Sequence, residues 1–479
     1  MNKQQRSSAS ALKRSVAVLA ISLLTGCSLM PTYQRPSAPV AAQWPASAGV
    51  NTADGSANAT PQAVVNWQSY FSDPALRQLI DTALANNRDL RVALLNIDQA
   101  RAQLGVRRAD QLPTLNAAAA GSRAPGSDGA INSTYSAGLT VTAYELDFFG
   151  RVASLKEQAL AQVLASAEAA QTVQISLIAT VAQTWLNLLA DEELLAVSRR
   201  TLDSRAESLK LVDLKVEHGA ASDFERRNAQ TLLESARVTL AQHMRQRALD
   251  ENALALLLGQ PVSAAQREQW TPHKLSQLMF AELPAGLPSD LLARRPDIRQ
   301  AEQSLVASNA NIGAARAAFF PRISLTAGAG SASSALSGLF KSGSWGWTLA
   351  PQLVLPIFDA GRNQANLDAA RTGREIAVAQ YEKAIQSAFR EVADGLASRA
   401  TLVEQLQAQQ ALLDAETARS QLTQLRLEHG VANQLDWLDA QRALFSAQQA
   451  LVQTRLASLQ NQIALFKTLG GGMEAATGL

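Results

Sequence analysis

The chain has 479 residues, 47% of them hydrophobic, with 43 lysines and arginines against 41 aspartates and glutamates. This length and apolar content allow a large core, and the near balance of charge excludes the basic surface of a nucleic-acid-binding protein. Four of the positive charges lie in the first 26 residues, which contain no acid, so the rest of the chain has 39 positive against 41 negative side chains.

The N-terminal segment has the pattern of a bacterial signal peptide that ends in a lipoprotein cleavage site. Residues 1–26 contain basic residues, the apolar run Val16–Leu24 and then Thr25-Gly26, and Cys27 follows directly. The apolar run is shorter than the roughly 20 residues that a membrane helix needs, so a retained transmembrane anchor is the weaker alternative. We predict cleavage before Cys27 and acylation of Cys27, including palmitate. Ser28 follows rather than Asp, which resembles an outer-membrane sorting signal.

Cys27 is the only cysteine, which excludes a disulfide within one copy. No segment after Leu24 is expected to form a membrane helix. Any membrane crossing by this chain is therefore expected to use a β-barrel, the other structure that satisfies every backbone hydrogen bond in lipid.

The chain contains two similar halves, 75–259 and 286–470, joined by the proline-containing linker 260–285. Four motifs recur at a separation of 211 residues: Gly150-Arg151 and Gly361-Arg362, Glu217-His218-Gly219 and Glu428-His429-Gly430, Ala229-Gln230 and Ala440-Gln441, Leu258-Gly259 and Leu469-Gly470. Upstream, Asp89, Arg91 and Pro113 recur at a separation of 208 residues, as Asp297, Arg299 and Pro321. Residues 27–74 form a lipidated extended segment before the repeats and 471–479 a tail. Internal repetition predicts the same order of elements in both halves.

Each half predicts three helices. A helix at 88–111 or 296–319 ends before a proline, and two strands follow. A run of 68 residues, 151–218 or 362–429, contains no proline and would extend about 100 Å as a helix. A turn at Gly219 or Gly430 leads into a returning helix that ends at Gly259 or Gly470. The first and returning helices are about 36 and 58 Å long, so their summed length is nearly that of the long helix.

Four strands are predicted at about 114–122, 134–148, 322–330 and 344–357. In the second strand one face carries Tyr135, Ala137, Leu139, Val141 and Ala143. This alternation is typical of a membrane β-barrel, but a soluble antiparallel sheet over a core shows it equally well. The predicted lipid anchor favours the membrane. Four strands cannot close a barrel, so the barrel would contain eight strands in a dimer or twelve in a trimer.

Several motifs resemble the lipoprotein branch (OprM/NodT-type) of the TolC-like outer-membrane factor family. They include Arg294-Arg295-Pro296-Asp297-Ile298, Ala301-Glu302, the run from Ile312 to Pro321, Trp67, Phe71, Asp73-Pro74 and Leu438-Asp439-Ala440-Gln441. The resemblance covers nearly the whole chain after the signal peptide.

This resemblance implies an α+β membrane protein that forms a homotrimer. Its fold would be a 12-strand β-barrel in the outer membrane and a long antiparallel α-helical barrel in the periplasm, with the linker in an equatorial belt. It also implies a periplasmic adaptor, an inner-membrane pump that is commonly proton-driven, contact with outer-membrane lipid, and no cofactor. The protein would be the passive, gated exit duct of a tripartite efflux pump.

Two acidic residues follow the second glycine turn. Asp436 and Asp439 are three residues apart, hence on one face of a helix, with Leu435 adjacent. They match the positions where channels of this family narrow, and Glu225 is the equivalent of Asp436 in the first half. The family's arginine and tyrosine gate latch is not present here, because Ala432 and Leu427 occupy those positions. The alternative interpretation is two solvated acids near a helix N-terminus, where the helix dipole favours them.

The two glycine turns are predicted to contact the adaptor through Glu217, His218, Gly219, Ala220, Glu428, His429, Gly430 and Val431; the alternative is a turn without a partner. The four histidines have no metal-site spacing, and no catalytic constellation is present, so we expect no enzyme and no bound metal. The chain has only five methionines, which gives no support to a methionine-lined path for copper ions. The remaining alternative is a trimeric coiled-coil surface lipoprotein with a structural or adhesive role.

Overall fold

A computed structural model describes residues 28–41, 44, 66–127, 129–270, 273–281 and 295–471. The predicted signal peptide and Cys27 lie outside the described residues, as do residues 282–294 and the tail after Gly471.

The described chain contains nine α-helices and four β-strands. In chain order they are α1 (Trp67–Tyr70), α2 (Pro74–Asn86), α3 (Arg88–Ala109), β1 (Leu115–Pro125), β2 (Ile131–Leu146), α4 (Arg151–Glu217), α5 (Asp223–Leu258), α6 (Ala264–Trp270), α7 (Pro296–Ala317), β3 (Arg322–Ser333), β4 (Trp345–Val354), α8 (Arg362–Glu428) and α9 (Gln434–Thr468). Short 3₁₀ turns lie at Leu275–Gln277 and Leu336–Gly338.

The helices of the two halves have nearly equal lengths. Helices α3 and α7 have 22 residues each, α4 and α8 have 67 each, and α5 and α9 have 36 and 35. Helices α3 and α7 end two residues before the predicted positions, at Ala109 and Ala317. Each end lies four positions ahead of a proline, Pro113 or Pro321, which cannot donate a hydrogen bond to the carbonyl four residues earlier and whose ring clashes with it. Strand β4 likewise ends before Pro356, three residues earlier than predicted.

The four strands form one antiparallel sheet in the order β1-β2-β3-β4. Paired residues of an antiparallel sheet lie on the same face. Leu139 pairs with Ala329, which pairs with Trp347, and Val141 pairs with Ala327, which pairs with Leu349. The sheet therefore has one continuous apolar face. The opposite face carries small and polar residues.

A β-bulge interrupts β2. Val141 pairs with Ala327 but Tyr144 pairs with Leu325, so β2 contains one extra residue between them. Ala143 has a φ of 50°, and its N–H donates to the Thr326 hydroxyl at 3.2 Å. The predicted unbroken alternation through Ala143 is therefore wrong. Before the bulge the apolar face of β2 carries odd-numbered residues such as Val141. After the bulge the same face carries even-numbered residues, beginning with Tyr144.

The fold divides into two compact units. The first contains the described residues of Met1–Ala38, Leu95–Ala167 and Gln300–Lys383, and therefore the whole sheet. Glu145 lies at the end of β2, where its carboxylate accepts two hydrogen bonds from Arg151, each of 2.7 Å. It also forms an ion pair with Arg322 at 2.7 Å. These ion pairs join the end of β2 to the start of α4 and the start of β3.

In the first unit, the N-terminal segment 28–38 lies along α7. Arg35 forms two hydrogen bonds with Glu302, at 2.7 and 2.8 Å. Asn309 donates to the Pro31 carbonyl at 2.7 Å, and Arg316 to the Leu29 carbonyl at 3.2 Å. These partners recur on one side of α7, so the helix holds the segment along several turns.

The second unit contains Pro39–Leu94, Glu168–Arg299 and Ala384–Leu479, again within the described residues. Its core is the middle of α4, where Trp185 is fully buried, together with the short α1 and the end of α9. Tyr70 stacks on Phe466 with ring centroids 4.4 Å apart, and its hydroxyl donates to the Gln462 carbonyl at 2.9 Å. Large buried aromatic side chains of this kind contribute strongly to stability.

One helix in the described part of the chain is apolar enough, by length and composition, to cross a membrane. An 18-residue window of α4 has a mean hydropathy of 1.4, so the expectation that no stretch after Leu24 is long and apolar enough for a membrane helix is wrong. However, 67% of that window is buried inside the structure. The apolar run of α4 is explained by its place in the core of the second unit.

Candidate pore constriction and contact turns

The two long helices end in the same glycine turn. Gly219 and Gly430 have φ values of 71° and 72°, a conformation that side chains with a Cβ rarely adopt. The N–H of Ala220 donates to the Lys215 carbonyl at 2.7 Å and that of Gly219 to the Val216 carbonyl at 3.0 Å. The second turn repeats these distances between Val431 and Arg426 and between Gly430 and Leu427. This pair of hydrogen bonds is the Schellman motif, which satisfies the last carbonyls of a helix.

A capping box starts each returning helix. The Glu225 amide donates to the Ser222 hydroxyl at 3.2 Å, while the Glu225 carboxylate accepts from the Ser222 amide at 2.7 Å. In α9 the Asp436 amide donates to Asn433 Oδ1 at 2.8 Å, and its carboxylate accepts from the Asn433 amide at 3.3 Å. These reciprocal bonds satisfy the free amides of a helix start. The bond from the Ser222 amide lowers the pKa of Glu225.

The structure therefore gives the predicted acids local partners. Asp436 is the third residue of α9 and stabilises its start, whereas Asp439, one turn later, forms an ion pair with Arg442 at 3.4 Å. Both carboxylates are exposed, and so is Leu435 at 50%. In a single chain these residues form an exposed acidic and apolar surface on the first turns of α9.

Sequence reasoning missed one residue of this surface. Phe224 is 71% exposed on the first turn of α5 and precedes Glu225 as Leu435 precedes Asp436. The same separation of 211 residues that relates the turns relates Phe224 to Leu435, so the repeat itself was the available signal.

The structure exposes all eight predicted turn residues. Among the described residues, no hydrogen bond or ion pair joins the first turn to the second. The two predicted sets are thus not brought into direct contact within one chain, and each presents a separate exposed surface.

The apolar face of the sheet is a second candidate surface. Its exposed large side chains are Leu115, Leu139, Trp345, Trp347, Leu349 and Leu353, each at least 50% exposed. Strands β1 and β4 each pair on one side only within the described sheet, so the sheet has two open edges. An exposed apolar face and unpaired edges both require a covering partner or lipid.

Metal binding has no candidate site in the described ranges. No group of three or more His, Cys, Asp or Glu residues there could hold an ion.

The sequence model for outer membrane efflux proteins matches residues 79–260 and 287–471, which is more than half of the chain. The chain belongs to the outer membrane efflux protein family. A relative in this family, the solvent efflux pump outer membrane protein SrpC of Pseudomonas putida, is 48% identical over 469 residues, covering 96% of this chain and 98% of that protein. The outer membrane protein OprJ of Pseudomonas aeruginosa is 45% identical, with 97% of each chain covered. These identities confirm the family resemblance seen in the motifs.

Solved structures agree with this assignment. The open state of the Neisseria gonorrhoeae MtrE outer membrane channel superposes with a TM-score of 0.83 at 39% identity, covering 95% of this chain and 100% of that one. This member of the family is therefore an outer-membrane channel component of an efflux pump, as predicted. The family is a transport family rather than an enzyme family. The alternative of a structural or adhesive coiled-coil lipoprotein finds no support in these relatives.

Proposed function

We propose that three copies of this chain assemble into a passive exit duct. The observation that carries the proposal is the four-stranded sheet with a continuous exposed apolar face and two open edges. Pairing of β1 in one copy with β4 in the next would complete the hydrogen bonds of both edges. Three sheets joined in this way would form a closed barrel of about twelve strands, above the minimum of about eight.

The helices would continue the duct on the periplasmic side, with two helices of 67 residues in each copy. Lipid attached to Cys27 would add a second anchor in the same membrane. Helix bundles of this length suit a bridge to the inner membrane, because 67 residues extend about 100 Å.

The exposed surface around Asp436 would form the constriction at the periplasmic end. Three copies would place up to six carboxylates from Asp436 and Asp439 around the axis, with Leu435 beside them and Glu225 on the adjacent helix. A ring of carboxylates favours the passage of cations and restricts the width of the pore. The capping role of Asp436 supports this placement, because it holds the carboxylate at the helix start.

The eight exposed turn residues would contact a periplasmic adaptor protein, and this adaptor would connect the duct to a proton-driven inner-membrane pump. The names of SrpC and other relatives refer to solvents, toluene and antibiotics, so we infer organic solvents and drugs as cargo. The duct itself encodes no energy source.

Conductance of the purified full-length protein in planar lipid bilayers tests this function. Asp436→Asn with Asp439→Asn removes the charges with little change of shape, and we expect reduced cation selectivity relative to wild type. Asp368→Asn is the matched control, because Asp368 is an exposed acid paired with Arg371 at 3.3 Å, much as Asp439 pairs with Arg442 at 3.4 Å. Absence of any conductance in all three proteins would contradict the duct, and equal selectivity in all three would contradict the constriction.

A further inference from the structure

Arg205 is a buried cation without an acidic partner. It lies in α4 with 4% of its surface exposed, and among the described residues no carboxylate forms an ion pair with it. Its Nε atom is buried and has no hydrogen-bond partner. Burial, and to a lesser extent the charge of Arg442, lowers the pKa of Arg205. Burial of a charge without an ion-pair partner costs free energy.

The contacts of Arg205 connect three helices. Its Nη1 donates to the Leu232 carbonyl of α5 at 2.8 Å, and its guanidinium lies over the Phe445 ring of α9, 5.2 Å from the centroid. The adjacent Ser204 accepts a hydrogen bond from Gln441 of α9 at 3.3 Å. Phe445 follows Asp439 by six residues, about 9 Å along the helix. These contacts therefore lie within about two helical turns of the acidic surface of α9.

We propose that Arg205 is a latch that holds the first half of α9, with Asp436 and Asp439, against α4 and α5. The proposal rests on the constriction proposed above.

The chemistry of the contact makes such a latch reversible. A buried ion pair loses strong attraction when its partners separate, which makes separation costly. On α9 Arg205 instead contacts the aromatic face of Phe445, and its guanidinium would gain hydration if α9 moved away. Hydration of the exposed cation would offset part of the lost contact, so a partner that engages the turns could release α9.

Bilayer conductance of the full-length trimer tests the latch. We expect Arg205→Leu and Phe445→Leu each to raise the open probability, by roughly five- to thirtyfold for Arg205→Leu, as for loss of one partly desolvated cation–π contact. The double variant should open no further, because both changes remove the same contact. Arg205→Lys should give an intermediate value. Arg237→Leu is the control, since Arg237 is exposed and pairs with Glu234 on its own helix at 2.8 Å.

A crosslink separates the latch from a general loss of packing. Cysteines at Ser204 and Gln441, joined by a short reducible thiol crosslinker in the Arg205→Leu background, should restore the wild-type open probability, and reduction should remove that effect. Wild-type gating in correctly assembled Phe445→Leu and Arg205→Leu channels would overturn the latch, as would failure of the crosslink to close the channel. If Asp436→Asn with Asp439→Asn still changes selectivity in that case, the constriction stands and only the latch fails.

Discussion

Asp191 gives the structure a measurable dependence on pH. It lies in α4 with 5% of its surface exposed, and its Oδ2 atom has no hydrogen-bond partner. Burial, followed by the hydrogen bond and negative charge of Asp250 in α5, raises the pKa of Asp191 from 3.8 to about 7. Glu192 adds to the shift and Arg247 opposes it. Asp191 therefore keeps its proton at mildly acidic pH, where an exposed aspartate has lost it.

The sign and size of the effect follow from proton binding. Between pH 5 and pH 7 the folded chain holds a proton on Asp191 that the unfolded chain has released, so the free energy of unfolding falls as the pH rises. One proton corresponds to about 1.4 kcal/mol per pH unit, or on the order of 3 kcal/mol across this range. Above pH 7 the contribution levels off, because Asp191 is then ionised in both states.

Asp191→Asn isolates this contribution, because it keeps a polar group of the same shape without the charge. Thermal midpoints of variant and wild type, measured from pH 5 to pH 8 by circular dichroism, should diverge as the pH rises, with the variant more stable at pH 8. Asp394→Asn serves as the control, since Asp394 is 73% exposed and lies 4.0 Å from Arg390. A stability difference between Asp191→Asn and wild type that does not vary with pH would refute the raised pKa of Asp191.

Three further outcomes are expected. Phe71→Ala should lower the free energy of unfolding by about 3–5 kcal/mol, because Phe71 is fully buried against Tyr70 and Phe466; the measurement is denaturant unfolding. Glu302→Gln should weaken the hold on Arg35 and speed limited proteolysis of the N-terminal segment, and unchanged cleavage would show that other contacts hold it. Asn433→Ala should destabilise the start of α9 by about 1 kcal/mol, seen as faster amide hydrogen exchange in its first turn only.

Most helix ends could be predicted from the sequence because they depend on local chemistry. Glycine is needed for the left-handed turns at Gly219 and Gly430, and proline limits α3 and α7, so these bounds were predicted to within two residues. The capping boxes Ser222 to Glu225 and Asn433 to Asp436 are also local patterns. They could have shown in advance that Asp436 is bound at the start of its helix.

The sheet shows where local patterns are insufficient. Alternation correctly predicted that β2 has an apolar and a polar face, but not the extra residue before Tyr144, because a bulge is defined by the register against β3, about 180 residues away in sequence. The periodicity of side chains is a property of one strand, whereas register is a relation between two paired strands.

The sequence alone therefore determined the family, the order of helices and strands and the position of the exposed turns. Only the tertiary structure decided that Asp191 lies buried beside Asp250 and that Arg205 lies under Phe445, 240 positions later in the chain. The reason is physical. A polar residue within a long apolar helix is exposed or buried according to which distant helix packs on that side, and helix periodicity carries no information about that partner.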